Sequence, residues 1–188
     1  LHSFPTRRSS DLTAFENQVG GHRFDLQKQG MLHQGSTILK QLQDQGRGVK
    51  EELFYEKTVE QYPDLKQWIA GYHGTKEIHM EGIDGKFMIL DDLTFGYDKP
   101  SVIDLKIGTQ TWEEDASKEK IERESKKYPL QRTFGFRLTG MRVYNKEKKD
   151  YDIYDKKYGY SITEDTLNGM FALFFSQVDP SERTAVIQ

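Results

Sequence analysis

Cysteine is absent from all 188 positions, which excludes disulfides and thiolate metal sites. There is no apolar run of about 18 residues, so no membrane span is expected, and no basic start followed by an apolar centre suggests a secretory leader. The five histidines, at positions 2, 22, 33, 73 and 79, lack His-x-x-x-His spacing, so imidazoles predict no metal site. A large excess of charge is also missing. With 27 Lys and Arg against 30 Asp and Glu, the net charge of -3 argues against bulk nucleic-acid binding and makes any basic surface local. A Walker-type Gly-rich loop, a Ser-centred nucleophile elbow and a protein-kinase catalytic loop are all absent. So are repeats and low-complexity tracts.

Hydrophobic residues make up 35% and aromatics 12% of the chain, too many for a disordered polymer despite 30% charge, and enough for one domain or two small lobes. Residues 1–12 read as foreign to the fold. Arg8-Ser9-Ser10-Asp11-Leu12 is what one frame of a common sequencing adapter encodes, and the segment is expected to be adapter-derived or a disordered arm. At the other end, Phe171 to Phe175 reads as a helix end and Pro180-Ser181-Glu182-Arg183 as the start of another, inside which the chain stops. A truncated protein is expected.

The pattern predicts an antiparallel, strand-rich first half with Gly-marked turns. Ser36 to Leu42 is a strand with Ile38 and Lys40 on one face and Leu39 on the other. A helix follows over 49–59, with Leu53, Phe54 and Tyr55 as its buried side, then a short helix over 64–69 and a strand over 86–90. Thr94 to Pro100 reads as a linker. Beyond it come a strand to Gly108, a charged helix over 113–127 stopped by Tyr128-Pro129, a strand over 134–144, its hairpin partner over 151–162, and a helix over 163–175. The expected fold is α+β and two-lobed: an antiparallel N-lobe over 13–98 and an incomplete mixed α+β C-lobe over 99–188.

The run Pro100-Ser101-Val102-Ile103-Asp104-Leu105-Lys106-Ile107-Gly108 sets an acid and a base two positions apart in an apolar strand, hence on one face. If buried, each charge needs a partner, because dry burial costs several kcal/mol. Either Asp104 and Lys106 neutralise each other or they await a charged ligand. Lys40 poses a similar choice: it is a solvent-facing strand residue, or it is held by Glu51 or Glu52 and aimed at phosphates. Phe87 to Leu93 is an apolar strand whose end either makes an ordinary turn or offers backbone groups to a purine. On the charged helix, Lys120, Arg123 and Lys127 fall within roughly 60° of one another. They suit a polyanion, or they belong to a solvated helix laced with ion pairs.

Pro100 to Gly108 fits the pattern Pro-x-x-x-Asp-x-Lys-x-Gly, and the chain resembles the inositol polyphosphate kinase family. Gln18-Val19-x-Gly21-His22, Leu39-Lys40-Gln41-Leu42, Arg47-Gly48 before Phe54-Tyr55, Ala116-Ser117-x-Glu119-Lys120-Ile121, Lys127-Tyr128-Pro129 and Gly140-Met141-Arg142-Val143-Tyr144 occur in the order expected of its multikinase branch. The short spacer between Gly108 and Tyr128 resembles both the multikinases and the hexakisphosphate kinases, while Gly135-Phe136-Arg137-Leu138 and the Tyr128-Pro129 stop are similar to the multikinase branch.

The resemblance implies an ATP-dependent kinase that phosphorylates inositol phosphates and uses Mg2+. Lys40 would contact ATP phosphates, Asp91 and Leu93 would offer backbone groups to adenine, and Asp104 would bind the ribose. Lys106 would face the phosphate in flight, while Arg47, Lys106, Lys120, Arg123 and Lys127 would hold substrate phosphates. Lys156, beside a strand end at Tyr158-Gly159, would add another contact. Arg123 and Glu124 depart from the family, which often carries glutamines in the middle of this helix.

The family's metal-binding Asp, in an Ile-Asp-Phe motif, lies further along than Gln188, so no metal ligand is expected here and the chain is expected to be inactive alone. Two alternatives stay open: a hexakisphosphate kinase that makes pyrophosphates, and a non-catalytic inositol phosphate-binding module. A monomer that is intracellular, in cytoplasm, nucleus or both, and binds no nucleic acid is expected.

Overall fold

In a computed structural model of the chain, residues 12–20, 30–43, 46–80 and 82–178 are described. The arm over 1–11, the Gly21-His22 motif and the helix expected from Pro180 lie outside them. Contacts divide the chain between Tyr97 and Asp98 into two compact units.

The N-terminal unit is a five-stranded antiparallel sheet of β1 (Thr13–Ala14), β2 (Met31–Gln34), β3 (Thr37–Gln41), β4 (Tyr72–Met80) and β5 (Ile83–Asp91), in the order β1-β2-β3-β5-β4. Gly35, at φ 63°, makes the tight turn between β2 and β3, a left-handed conformation that glycine adopts without steric penalty. Leu32, Leu39, Ile78 and Phe87 form the core on one face of the sheet. Lys40, one residue on from Leu39, therefore points to the other face, as its strand pattern predicts.

Against that sheet lie α1 (Arg47–Leu53), a single wide π-helical segment Phe54–Thr58 and α2 (Val59–Gln61), followed by a 3-10 turn over Pro63–Gln67. The expected buried side of this helix is corrected. Leu53 is exposed, Phe54 and Tyr55 are half-buried, and the buried positions are Gly48 and Val59. Polar contacts take the place of a broad apolar stripe, as described below. The strand β4 went unpredicted, because Tyr72 to Met80 has little alternation and many polar residues. It is a sheet edge, where only one flank needs pairing.

The C-terminal unit is a three-stranded antiparallel sheet of β6 (Val102–Ile107), β7 (Phe136–Asn145) and β8 (Asp150–Tyr154), in the order β6-β7-β8. Helices α3 (Lys118–Lys127), α4 (Gln131–Phe134), α5 (Lys156–Ser161) and α6 (Glu164–Phe174) complete it. The charged helix starts five residues later than expected, because the Ser117 hydroxyl accepts the Lys120 backbone N–H at 3.3 Å and caps it there. The expected strand over 151–162 is also corrected: it ends at Tyr154. Asp155 then accepts the N–H groups of Lys157 and Tyr158 at 2.9 and 3.2 Å and starts α5, so Lys156 and Tyr158-Gly159 are helical. Thr163 and Thr166 form a reciprocal capping box at the start of α6.

The core of this unit is Leu138, Met141, Val143, Ile162 and Met170, with Ile103, Leu105, Phe136 and Phe171 packed against it. Each fully buried apolar side chain of this kind contributes about 1.5–3 kcal/mol. Gly159 lets α5 lie directly on β7, since a Cβ there would sit 2.2 Å from the Leu138 carbonyl oxygen.

The antiparallel sheets with their helices make the α+β architecture in two units that the sequence predicts.

Candidate functional site

In the N-terminal unit the functional candidates sit on β3, on the end of β5 and on α1. Lys40 Nζ is paired with Glu51 Oε1 on α1, and one residue on Glu52 accepts Lys86 Nζ of β5 at 2.6 Å. Lys40 and Lys86 share the face opposite the core, since Lys40 is in register with Met88, two positions from Lys86. Adjacent glutamates on one helix turn thus tie it to two strands. Tyr55 stacks on Tyr72, with ring centroids 5.2 Å apart, and adds an aromatic contact between the helix and β4. Arg47 is the exposed first residue of α1.

Asp91 closes β5. Its N–H donates to the Gly71 carbonyl at 2.9 Å and its carboxylate meets His73 Nε2 at 2.6 Å. The Asp91 amide is therefore already engaged, whereas Leu93 is 68% exposed in the turn that follows. That turn is rigidly held. The buried Asp92 carboxylate accepts the Thr94 N–H and hydroxyl at 2.8 and 2.6 Å and lies 3.2 Å from His33 Nε2, while Asn17 donates to the Thr94 hydroxyl at 2.8 Å. The sequence signal for the role of Asp92 is Asp-x-Thr, a side chain able to cap its own turn.

In the C-terminal unit, Asp104 and Lys106 lie on β6. Ile103 and Leu105 pack on the core, so Asp104 and Lys106 share the opposite face. The run is not buried as its composition suggests: Lys106 is exposed and Ile107 is 77% exposed. Neither charged side chain has a hydrogen bond or ion pair with any described residue, so they do not neutralise each other. Gly108 ends the strand at φ 115°, where its carbonyl accepts Gln131 Nε2 at 2.9 Å and its N–H donates to the Gly135 carbonyl at 2.6 Å. The motif glycine thus fixes the strand end that carries Lys106.

Helix α3 carries Lys120, Arg123 and Lys127. Lys120 pairs with Glu113, Lys127 Nζ with Glu124 Oε1 at 2.6 Å, and Arg123 Nε lies 3.7 Å from that same oxygen. Glu124 Oε2 is 3.9 Å from Arg137 Nη2 of β7. The hydrogen bond from Lys127 holds the Glu124 carboxyl below the usual carboxylate range; burial opposes the shift, and the Lys127, Arg137 and Arg123 charges add to it. The lacing expected of a solvated helix is present too, as in the Lys126–Glu122 pair at 2.5 Å. Tyr128 ends the helix by donating its hydroxyl to the Ile162 carbonyl at 2.8 Å, and burial raises its pKa.

Arg137 is the other residue whose role sequence reasoning missed. It is buried, stands opposite Lys106 in the β6–β7 register and faces Glu124, so it brings the strand of Lys106 next to the basic helix. A lone Arg between Phe136 and Leu138 was the available signal. Lys156 is the exposed first residue of α5, and its side chain makes no hydrogen bond or ion pair with this cluster among the described residues. No group of three or more His, Asp or Glu side chains among the described residues fits a metal ion.

Residues 87–188 match the family model described as inositol polyphosphate kinase. The inositol polyphosphate multikinase of Homo sapiens is 34% identical over 166 residues, which cover 85% of this chain and 40% of that protein. The inositol polyphosphate multikinase beta of Arabidopsis thaliana is 31% identical over 175 residues, or 89% of this chain and 58% of its own length. The chain thus spans about half the length of these relatives, from 40% to 58%. Among solved structures, the inositol phosphate multikinase of S. cerevisiae in complex with ADP and Mn2+ superposes with a TM-score of 0.62 at 24% identity, covering 81% of this chain and 63% of that one, a likeness of fold.

Proposed function

The chain belongs to the inositol polyphosphate kinase family, and from that membership we propose that it carries much of the nucleotide and substrate machinery of an ATP-dependent kinase of the multikinase type. Such a kinase moves the γ-phosphoryl group of ATP to a hydroxyl of an inositol phosphate. The observation that carries this reading is the outward face of β6, where Asp104 and Lys106 stand without partners among the described residues. A carboxylate there suits the paired hydroxyls of a ribose. An ammonium suits a phosphoryl group in flight, whose negative charge it offsets without rearrangement.

In this reading Lys40, held in place by Glu51, contacts the ATP phosphates. The turn after β5 presents backbone at Asp91 and Leu93 to adenine, with Leu93 the open position because the Asp91 N–H is engaged within the sheet. Arg47, Lys120, Arg123 and Lys127 hold the phosphates of the inositol ring, with Lys156 as an outlying contact. The attacking hydroxyl displaces ADP directly, and no covalent enzyme intermediate forms. Names borne by the relatives, multikinase in two organisms, support that branch over the hexakisphosphate kinases.

A divalent cation accompanies ADP in the S. cerevisiae structure, where it is Mn2+, and is ordinarily Mg2+ with ATP; one or two carboxylates and the phosphate oxygens would hold it. Phosphoryl transfer of this kind draws on such an ion to neutralise phosphate oxygens. We further propose that this chain, which spans about half the length of these relatives, is inactive alone.

One coupled ADP-release experiment tests the whole reading. The 188-residue chain gives no turnover above background, the full-length protein turns over, and Lys106→Ala lowers that turnover on the order of a thousandfold while inositol phosphate affinity falls by less than about tenfold. Robust turnover by the chain alone would contradict its inactivity. A Lys106→Ala change that lowers affinity but leaves turnover intact would instead support a binding module.

A further inference from the structure

Among the described residues of the C-terminal unit, Glu124 is the carboxylate that faces cations from two elements. Its side chain is 12% exposed. One oxygen serves Lys127 at 2.6 Å and lies 3.7 Å from Arg123, both on α3, while the other is 3.9 Å from Arg137 on β7. That last distance is too long for a hydrogen bond. Arg137 is left buried with its Nε and Nη1 groups lacking any partner among the described residues and with only a ring contact, its guanidinium 5.9 Å from the Tyr160 centroid. A buried guanidinium with unfilled donors is a standing penalty that a fully committed carboxylate would relieve. Glu124 does not give Arg137 that bond in this arrangement, in which its other oxygen is held by Lys127.

We propose that Glu124 is a built-in counter-anion of the α3 phosphate face. It holds Lys127 and Arg123 while no polyanion is bound, and closes on Arg137 when phosphates take those two cations. In both states its negative charge stays beside the ligand, which penalises each added phosphate and so sets an upper limit on how highly phosphorylated an inositol the face prefers. Glu124 is in this sense a specificity-determining residue. The inference rests on the reading of α3 as the substrate-phosphate helix.

The test is calorimetric titration of the chain with inositol trisphosphate and inositol hexakisphosphate. Glu124→Gln, which keeps size and removes charge, tightens binding by roughly threefold for the trisphosphate and roughly tenfold for the hexakisphosphate. Glu122→Gln is the charge-matched control, since Glu122 is 68% exposed and pairs with Lys126; it changes both affinities by less than about twofold. Arg137→Met acts in the opposite direction, because Glu124 then has nowhere to go and stays on Lys127, so both ligands bind more weakly. A Glu124→Gln variant that matches Glu122→Gln for both ligands would overturn the inference while leaving the helix assignment in place. No binding by the unmodified chain would overturn the helix assignment and the inference with it. If Glu124→Gln does not fold, Arg137→Met decides alone, and unchanged or tighter binding overturns the inference.

Discussion

The two units attach helices to sheets by different means, and the difference shows in which strand charges have a carboxylate partner in the fold. In the N-terminal unit, Glu51 and Glu52 of α1 reach two strand lysines, and Tyr55 stacks on Tyr72 of β4. In the C-terminal unit, α5 and α6 rest on β7 through Gly159, Ile162, Met170 and Phe171. Apolar packing holds those helices without using any charge of β6, so Asp104 and Lys106 remain open on the opposite face. Charged residues in strands look alike in a sequence; what sets them apart in the fold is whether a helix carboxylate reaches them.

The largest effect that would sharpen this comparison comes from the apolar side. Gly159→Ala drives a methyl group into the Leu138 carbonyl, where backbone rather than a flexible tip must yield, and destabilises the C-terminal unit by about 3 kcal/mol. Denaturant unfolding followed by Trp112 fluorescence in a Trp68→Phe background reads it, and a midpoint equal to that of the parent would break the account of how α5 is held.

Next come the two paired lysines. Lys40→Met lowers affinity for a non-hydrolysable ATP analogue by about tenfold, the effect of losing one charge-assisted bond to phosphate. Lys86→Met, which breaks the neighbouring pair with Glu52, leaves that affinity within about twofold. Equal losses in fluorescence binding titrations would mean that both pairs serve only to hold α1.

The smallest effect is on pH dependence. Glu119, Glu124 and Asp152 of the C-terminal unit all have lowered pKa values: backbone and Ser117 hydrogen bonds act first on Glu119, the Lys127 bond on Glu124 and the Lys148 bond on Asp152. A lowered carboxyl adds stability above the ordinary carboxylate range and loses it as pH falls through its depressed value. In the N-terminal unit the His79 pKa is raised, first by its hydrogen bond to Asp84. Its contribution is present below the ordinary histidine value and is lost as pH rises through the raised one. Thermal melts across the pH range should therefore show the C-terminal unit weakening on the acid side and the N-terminal unit slightly on the basic side.

Much of this architecture was legible because it depends on local chemistry. Leu39 alternating with Lys40, the Tyr128-Pro129 helix stop and the Thr163 cap are all set within a few residues. What escaped depends on distant partners. Tyr72 to Met80 is a strand because β5 pairs with it, and its own residues carry little apolar alternation. Lys156 to Ser161 is helical because Asp155 caps it and Gly159 fits against β7, although Tyr151, Ile153 and the following tyrosines read as a longer strand. For the site, the resemblance placed the charged residues, but only the register opposite Lys106 revealed Arg137, and only three-dimensional contacts showed that Glu51 holds Lys40 while Asp104 and Lys106 are left open.

Lysine-selective NMR of the chain, observing side-chain Nζ signals during titration with inositol trisphosphate, tests that last distinction most directly. The Lys106 signal is predicted to move with the ligand while Lys86 and Lys148, each committed to a carboxylate, stay in place. A stationary Lys106 signal at saturation, or equal movement of Lys86 and Lys148, would contradict the claim that β6 presents its charges to a ligand.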